Sequence, residues 1–256
     1  MAFLKTNITE FLRALRIFVS DFDGDVWIRI DRFSLLIEAP SHRRIEIERS
    51  LFDEYEITDD EFYTVDFKVA TFNSITADTT DIRLTIGSNL KIEVGTAEEE
   101  TIIEMPRGTE KRLRDDDYLC YYAGDISFLR GMTHTPKIMI QWMPTEIRVL
   151  CETKLVCLCH TTAKHYEDDS VKPRILRIIS AEYPQGPPKT VLKGLCCGYT
   201  MTAGFRIIPP TSYKLISAIC DLHYDDNLIE CDTDKPLHIR SSNNHIAIDV
   251  FINWKE

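Results

Sequence analysis

The stretch FLRALRIFVSDFDGDVWIRIDRFSLLIEA (11–39) has a second copy further along the chain, FLRGMTHTPKIMIQWMPTEIRVLCET (128–153). Both copies begin with the same three residues, and both then predict a helix, a short turn, a strand, a tight turn and another strand. Such self-similarity indicates that one supersecondary unit is used twice. The chain is therefore expected to contain two halves of the same architecture.

A second pair of related segments supports the division into halves. DFKVATFNSI (66–75) and GFRIIPPTSYKLISAI (204–219) both close a strand and lead into a helix. Between the halves, MPRGTEKRLRDDDYL (105–119) is charged and contains Pro and Gly, as is typical of a linker. We predict an N-terminal domain over 1–105, a linker over 106–118 and a C-terminal domain over 119–256.

Strand patterns dominate both halves. Segments such as RRIEIE (43–48) and DIRLTI (81–86) alternate apolar with polar residues, the period of a strand with one wet face. Helices are fewer, and the first has Asn7 and Glu10 at the spacing of a capping box. The predicted helices cover 7–20, 71–76, 125–132 and 211–222.

The bulk composition is that of an ordinary globular protein. Of the 256 residues, 44% are hydrophobic and 28% are charged. The N-terminal MAFLKTNITE does not have the pattern of a signal peptide, and no apolar run is long enough to span a bilayer, so we expect an intracellular protein without a membrane partner. A formal charge of −11 argues against a basic whole surface for nucleic acid, but leaves a local basic face possible.

The eight cysteines all lie after residue 119, and we expect them to be reduced, mostly buried apolar groups. Cys157, Cys159 and His160, with the pair Cys196 and Cys197, are candidates for zinc ligands. No C-x2-C pair occurs, however, and Cys-x-Cys points both side chains to one face of a strand. We therefore predict no metal and no other cofactor. The remaining cysteines are Cys120, Cys151, Cys220 and Cys231.

The segment IFVSDFDGDVW (17–27) resembles the nucleophile loop of haloacid-dehalogenase phosphatases, in which Asp21 and Asp23 would be catalytic. That family continues with Thr or Ser, whereas this chain has Asp25, and the preceding residues fit the last turn of a helix. The chain also lacks the alternating strands and helices of a parallel sheet. We interpret DFDGD as a helix-to-strand turn and predict that the protein is not an enzyme.

Two halves with two helices each against mostly antiparallel sheets resemble the DNA sliding clamps, and the resemblance covers nearly the whole chain. SHRRIEIERSLFDEY (41–55), FKVATFNSI (67–75) and DTDKPLHIRSSNNHIAIDVFI (232–252) are most similar to the Rad-nine subunit of the nine-one-one checkpoint clamp. The resemblance implies an α+β, two-domain clamp fold whose helices line a channel. It also implies a nuclear subunit of a heterotrimeric ring acting in DNA damage checkpoint signalling and repair.

Several residues acquire expected roles from this resemblance. Arg13 and Arg16 are neighbours on one helix face, Arg130 repeats Arg13, and Lys214 lies on the outward face of the last helix, so these four are candidates for phosphate contact with double-stranded DNA. The family's ring closes by pairing of edge strands between subunits. By family position these edges are Leu90, Lys91, Ile92, Glu93 and Val94 at one end, and Leu155, Val156, Cys157, Leu158 and Cys159 at the other.

The implied partners are two other clamp subunits, a clamp loader and proteins with short peptide motifs that bind near the linker. Within the family, the competing hypothesis is a homotrimeric replication clamp similar to proliferating cell nuclear antigen. Two hypotheses lie outside the family: a phosphatase that uses Asp21 and Asp23, and a β-rich interaction protein whose internal repeat is coincidental.

Overall fold

The computed structural model describes most of the first half of the chain and a smaller share of the second. The described residues are 1–19, 25–39, 43–59, 61–66, 75, 77–108, 120–132, 137–143, 146–151, 154–160, 162–163, 175–177, 181–182, 194–196, 199–201, 204–231 and 235–253. The predicted helix at 71–76 apart from residue 75, the residues Asp21 and Asp23, and most of the predicted linker lie outside them.

The chain forms two compact units. The first contains Met1–Arg114 together with Ser242–Asp249, and the second contains Asp115–Ser241 together with Val250–Glu256. The change of unit after Arg114 falls inside the predicted linker. The assignment of Ser242–Asp249 to the first unit has no counterpart in the sequence repeat.

The first unit has one described α-helix, α1 (Ile8–Val19), a 3-10 turn over Arg49–Leu51 and nine described strands. One antiparallel sheet has the order β5-β1-β7-β8-β9, and in a second sheet the strands of this unit follow the order β4-β3-β2-β6. The strands are β1 (Ala2–Leu4), β2 (Asp25–Ile30), β3 (Ser34–Ala39), β4 (Arg43–Glu48), β5 (Glu54–Tyr55), β6 (Glu61–Asp66), β7 (Asp81–Ile86), β8 (Asn89–Gly95) and β9 (Glu100–Pro106).

The alternation of buried and more exposed residues along the strands shows which sheet face packs against the core of the first unit. In β8 every second residue, Leu90, Ile92 and Val94, is buried, as expected for a strand with one face on the core. Strand β3 differs, because all six of its residues are buried. Its Glu38 is among them, and burial raises the pKa of that carboxyl group while the nearby Arg44 opposes the shift.

Helix α1 matches its prediction, with bounds one residue inside the predicted ones at each end. Its buried side chains include Phe11, Ala14, Leu15 and Ile17, which recur at the spacing of a helix face. The predicted capping box is wrong. The side chain of Asn7 donates to the carbonyl of Leu51 at 2.9 Å, and that of Glu10 accepts from Asn243, so neither side chain binds the backbone at the helix start.

The second unit has two described helices, α2 (Ser127–Met132) and α3 (Tyr213–Cys220), with a 3-10 turn over Pro210–Ser212 before the latter. One sheet has the order β15-β13-β12-β11-β19, with β16 also pairing with β13, and another contains the run β14-β10-β20-β21-β22. The strands are β10 (Cys120–Ala123), β11 (Ile138–Met143), β12 (Glu146–Cys151), β13 (Lys154–His160), β14 (Thr162–Ala163), β15 (Ile175–Arg177), β16 (Ala181–Glu182), β17 (Gly194–Cys196), β18 (Tyr199–Met201), β19 (Gly204–Ile208), β20 (Asp226–Cys231), β21 (Leu237–Ser242) and β22 (Ile246–Ile252), of which residues 246–249 belong to the first unit.

Side chains from β11, β12 and the two helices form the core of this unit. Trp142 is fully buried, and the hydroxyl of Tyr213 on α3 accepts a hydrogen bond from the backbone N–H of Ile138 at 3.1 Å, which ties the helix to the sheet. The other fully buried apolar residues of these elements are Leu129, Ile138, Ile140, Ile147, Val149 and Ile216.

The sequence-based assignment of edge strands needs correction. Residues Leu90 to Val94 lie in β8, which pairs with β7 on one side and β9 on the other, so they form an interior strand. Residues Leu155 to Cys159 lie in β13, which pairs with β12 on one side and with the short strands β15 and β16 on the other. Family position was misleading because one further strand follows β8 before the linker.

Membrane-spanning helices and metal clusters are both absent from the described residues. No helix among them is long and apolar enough to cross a membrane. No group of three or more His, Cys, Asp or Glu side chains in the described part of the chain is arranged to hold a metal ion.

Candidate nucleic-acid interface

The outward face of α1 carries positive charge. Arg13 and Arg16 are exposed and lie one turn apart, and Lys5, just before the helix, is exposed as well. Within the described residues, none of the three side chains has an ion pair with a carboxylate. Because their charges are unneutralised and solvated, this basic stripe of Lys5, Arg13 and Arg16 can attract an anion.

The start of α1 is held by an acceptor from elsewhere in the unit. One carboxylate oxygen of Asp53 accepts from the backbone N–H groups of Lys5 at 2.6 Å and Thr6 at 3.0 Å, and the other accepts from the Thr6 hydroxyl. The hydrogen bonds from Thr6 are the main reason that the pKa of Asp53 lies below its usual range. These contacts fix the backbone from which Lys5 projects.

The last turn of α1 is held from the neighbouring strand. The buried side chain of Arg43 on β4 donates to the backbone carbonyl of Ile17. A guanidinium at this position satisfies a carbonyl that has no partner within the helix and complements the negative end of the helix dipole. Both ends of α1 are thus anchored, so the basic stripe lies on a fixed support.

The second unit presents its cations differently. Arg130 on α2 is exposed, but its Nε lies 2.9 Å from a carboxylate oxygen of Asp221, the residue that follows α3. Lys214 on α3 is exposed. The helices also meet where the thiol of Cys220 lies 3.4 Å from the carbonyl of Ile126. The ion pair neutralises much of the Arg130 charge, so this face is less basic than that of α1.

All four side chains that were predicted to contact DNA are therefore exposed, but their electrostatic surroundings differ. Arg13 and Arg16 belong to the basic stripe, whereas Arg130 is paired with an acid. Lys5 was missed by sequence reasoning, because it precedes the helix.

Of the strand residues that were predicted at subunit interfaces, Leu90 to Val94 are engaged within the first unit's own sheet. Lys91 Nζ lies 2.7 Å from a carboxylate oxygen of Glu93, and this hydrogen bond raises the pKa of Lys91. The outer strands of that sheet are β5 and β9, and on β9 the side chain of Ile102 is 51% exposed. An apolar side chain on a sheet edge is a site for strand pairing with another chain.

Each unit has at least one cation-bearing helix and antiparallel sheets. We compared this fold with solved structures to find its class. The chain matches no family model and no curated protein. Its fold is similar, over almost its full length, to solved structures of sliding clamps of the proliferating-cell-nuclear-antigen (PCNA) type. The protein therefore has the α+β sliding-clamp fold.

Three such structures illustrate the likeness. The complex of PCNA2 and PCNA3 from Sulfolobus tokodaii is 10% identical with a TM-score of 0.56, covering 98% of each chain. PCNA from Thermococcus kodakaraensis is 11% identical with a TM-score of 0.54, covering 98% of this chain and 99% of its own. PCNA from Entamoeba histolytica is 10% identical with a TM-score of 0.56, covering 100% of this chain and 98% of its own.

Proposed function

We propose that this chain is one subunit of a three-subunit DNA sliding clamp that encircles duplex DNA without reading its sequence and without catalysis. The observation that carries the proposal is the match to solved clamps along the whole of both chains. A partial match would fit a shared domain used for another purpose. A match from end to end fits a subunit with the same overall role.

The basic stripe supplies the DNA contact in this proposal. Phosphate contacts need positive charge and no particular hydrogen-bond pattern, and solvated arginine and lysine side chains on a helix meet that need. The helices of a sliding clamp line its channel, so Lys5, Arg13 and Arg16 would meet the DNA backbone, with Lys214 and Arg130 contributing from the second unit. The acidic remainder of the chain would discourage contact elsewhere.

Strand β9 supplies one ring contact. Along Glu100–Pro106 its described pairing is with β8, and only the following Arg107 bridges to Tyr63 of β6, so the other side of β9 around Ile102 is the part that offers backbone groups to a neighbouring subunit. The exposed side chain of Ile102 would be covered by that neighbour. This edge replaces the interior strand β8 in the assignment of the interface.

The type of ring is the finer part of the proposal. We infer a heterotrimeric, nuclear checkpoint and repair clamp from the resemblance of 41–55 and 232–252 to the Rad-nine subunit. One of the similar structures is a complex of two different clamp chains, PCNA2 and PCNA3 from Sulfolobus tokodaii, and such association of unlike chains supports this proposal. A loader and short peptide motifs of partner proteins would be its further contacts.

Native mass spectrometry tests assembly. The chain alone should not form a stable trimer, and a trimer should appear when the other two clamp subunits from the same source are added. Ile102→Asp should abolish it, because a buried charge would replace an apolar contact. Phe33→Asp is the matched control, since Phe33 is 61% exposed and lies on the turn between β2 and β3. A stable trimer of this chain alone would favour the homotrimeric replication clamp.

A salt titration of duplex binding by the assembled ring tests the DNA contact. Arg13→Ala and Arg16→Ala should each make the slope of log affinity against log salt shallower by about 0.9, independent of DNA sequence. Arg32→Ala, which removes an exposed arginine from the turn between β2 and β3, should leave the slope unchanged. Equal slopes for all three variants would contradict a phosphate role for α1.

A further inference from the structure

Two of the cysteines lie directly opposite each other in neighbouring strands. Strands β10 and β20 pair antiparallel, and the register makes Cys120 and Cys231 Cα partners. Cys231 is fully buried and reduced. The proposed clamp function uses neither residue.

The spacing of such a pair suits a disulfide bond. Directly opposed residues of an antiparallel ladder have Cα atoms about 4.5 Å apart at a position without hydrogen bonds and about 5.5 Å apart at a hydrogen-bonded one. Disulfide-linked cysteines have Cα separations of about 4.4 to 6.8 Å, so both kinds of position fall within reach. We propose that Cys120 and Cys231 are a site of oxidative modification, at which a peroxide converts the two thiols into a cross-strand disulfide.

The register singles out this pair among the cysteines of the described strands. In the remaining described pairings, each cysteine lies opposite a different residue type. Those pairs are Cys120 with Ala163, Cys151 with Ile138 and Lys154, Cys157 with Val149, Cys159 with Ile147 and Ile175, and Cys196 with Tyr199. Cys220 lies on α3, where burial raises the pKa of its thiol to about 12, so it carries little thiolate at neutral pH.

The position of β10 in its sheet provides a route for the oxidant. On its outer side β10 pairs with β14, a strand of two residues, and Cys120 is the partner of Ala163 there. Separation of so short a strand is a local opening that does not require unfolding of the unit. The reaction would therefore be slower than at an exposed thiol, but accessible from the folded state.

The chemistry balances with one peroxide molecule. The thiolate of one cysteine attacks a peroxide oxygen, the O–O bond breaks, and a sulfenic acid forms with release of one water. The second thiol then attacks the sulfenic sulfur, the S–S bond forms and a second water leaves. Two thiols lose two electrons and two protons in total, and hydrogen peroxide is reduced to two molecules of water.

The bond would tie the first strand after the linker region to β20. The chain between the two cysteines would become a closed loop of about 110 residues, and closing a loop of that length restricts the unfolded chain strongly. We therefore expect the oxidised protein to unfold at a temperature several degrees higher than the reduced protein. A thiol reductant should reverse this shift.

The test uses the full chain, treated with hydrogen peroxide, alkylated to block the remaining thiols and digested without reduction. Mass spectrometry should find a peptide pair that contains Cys120 and Cys231 and has lost two hydrogen atoms. The pair should vanish in Cys120→Ser and persist in Cys151→Ser, a matched control whose cysteine is half-buried and lies opposite no cysteine in its described pairings.

The wild-type digest decides the matter even if a variant fails to fold. Sulfenic or sulfinic acid at Cys120 or Cys231 without the linked peptide would overturn the proposal, and so would a link from either residue to another cysteine. Protection of both thiols while other cysteines react would also overturn it. A persistent upward shift of the unfolding temperature in Cys120→Ser would show that the stabilisation has another origin.

Discussion

The tripeptide Phe-Leu-Arg occurs on α1 and again on α2, but the two copies bury different side chains. On α1 Phe11 is buried at 3% exposure and Leu12 is half-buried. On α2 Leu129 is fully buried and Phe128 is half-buried. The buried position has moved by one residue, which on an α-helix is a rotation of about 100°. An internal repeat thus preserves the order of elements without preserving how each helix faces its sheet.

The arginine that ends each copy differs as well. Arg13 is exposed within the basic stripe, whereas Arg130 is exposed but paired with Asp221. Two positions that are equivalent in the repeat therefore have different electrostatic surroundings. The difference comes from the residue after α3, which has no equivalent in the first unit's described residues.

The largest effect is expected from Phe11→Ala. Truncating this buried ring removes apolar contacts and leaves a cavity, so the free energy of unfolding should fall by about 3–5 kcal/mol. Phe128→Ala is the matched change in the other copy and should cost clearly less, because its ring is already partly in water. Equilibrium urea unfolding measures both. Equal losses in the free energy of unfolding would mean that the phenylalanine side chain is buried to the same extent in both copies.

Leu129→Ala should be next in size and should reverse the ranking of the two copies. Leu129 is fully buried, and such a truncation costs about 2–5 kcal/mol. Leu12→Ala on α1 should cost less than that, because Leu12 is only half-buried. The same urea experiment compares the pair. A greater loss for Leu12→Ala would break the inferred rotation between the helices.

Asp53→Asn should have a smaller, pH-dependent effect on the first unit. The pKa of Asp53 is lowered in the folded protein, chiefly by its hydrogen bonds from Thr6. Asp53 therefore stabilises the folded protein at pH values above its unfolded pKa. This stabilisation is lost as the pH falls through the lowered pKa of the folded state. Unfolding midpoints should differ between wild type and variant near neutral pH and converge in acid.

The control for this change is Glu54→Gln, which removes the neighbouring exposed carboxylate. Its midpoint should follow the wild type across the pH range. A difference between Asp53→Asn and wild type that grows in acid would contradict the sign of the shift. In α2 the corresponding acceptor is local, because Asp125 accepts from the backbone N–H of Ser127 at 2.8 Å.

These two helix starts show why some features were predictable and others were not. Periodicity along the chain predicted α1, α2 and α3 and most long strands, because each signal lies within one segment. The acceptor at α1 is Asp53, far from the helix start in sequence, and no local pattern connects it to Lys5 and Thr6. The local spacing suggested Asn7 instead, and that prediction was wrong.

In the candidate site and at the sheet edges, too, features within one segment were predictable and contacts between distant segments were not. Exposure of Arg13, Arg16, Arg130 and Lys214 followed from helix faces, which are local. The pairing of Arg130 with Asp221 joins two elements that are far apart in sequence. The short strands β1, β5 and β10 were not predicted, since strands this short have too few positions to show a period. Strand β8 was mistaken for an edge because sheet order is not a property of any one strand.

The smallest stability effect, and the finest test of the comparison, concerns the two arginines. Arg130→Ala should lower the free energy of unfolding by less than about 1 kcal/mol, because both partners of its ion pair are about half exposed to solvent. In a double-mutant cycle Asp221→Ala should remove most of that loss. Arg13→Ala should change stability by less than about 0.5 kcal/mol, since its side chain has no ion pair among the described residues.

Duplex binding by the assembled ring should rank the two changes the other way, with Arg13→Ala giving the larger loss of salt dependence. A guanidinium that is already paired with a carboxylate neutralises less phosphate charge, so fewer of the counterions condensed on the DNA are released. If Arg130→Ala lowers the salt slope as much as Arg13→Ala does, the ion pair with Asp221 opens on DNA, and the two copies of the repeat are alike in their electrostatic role.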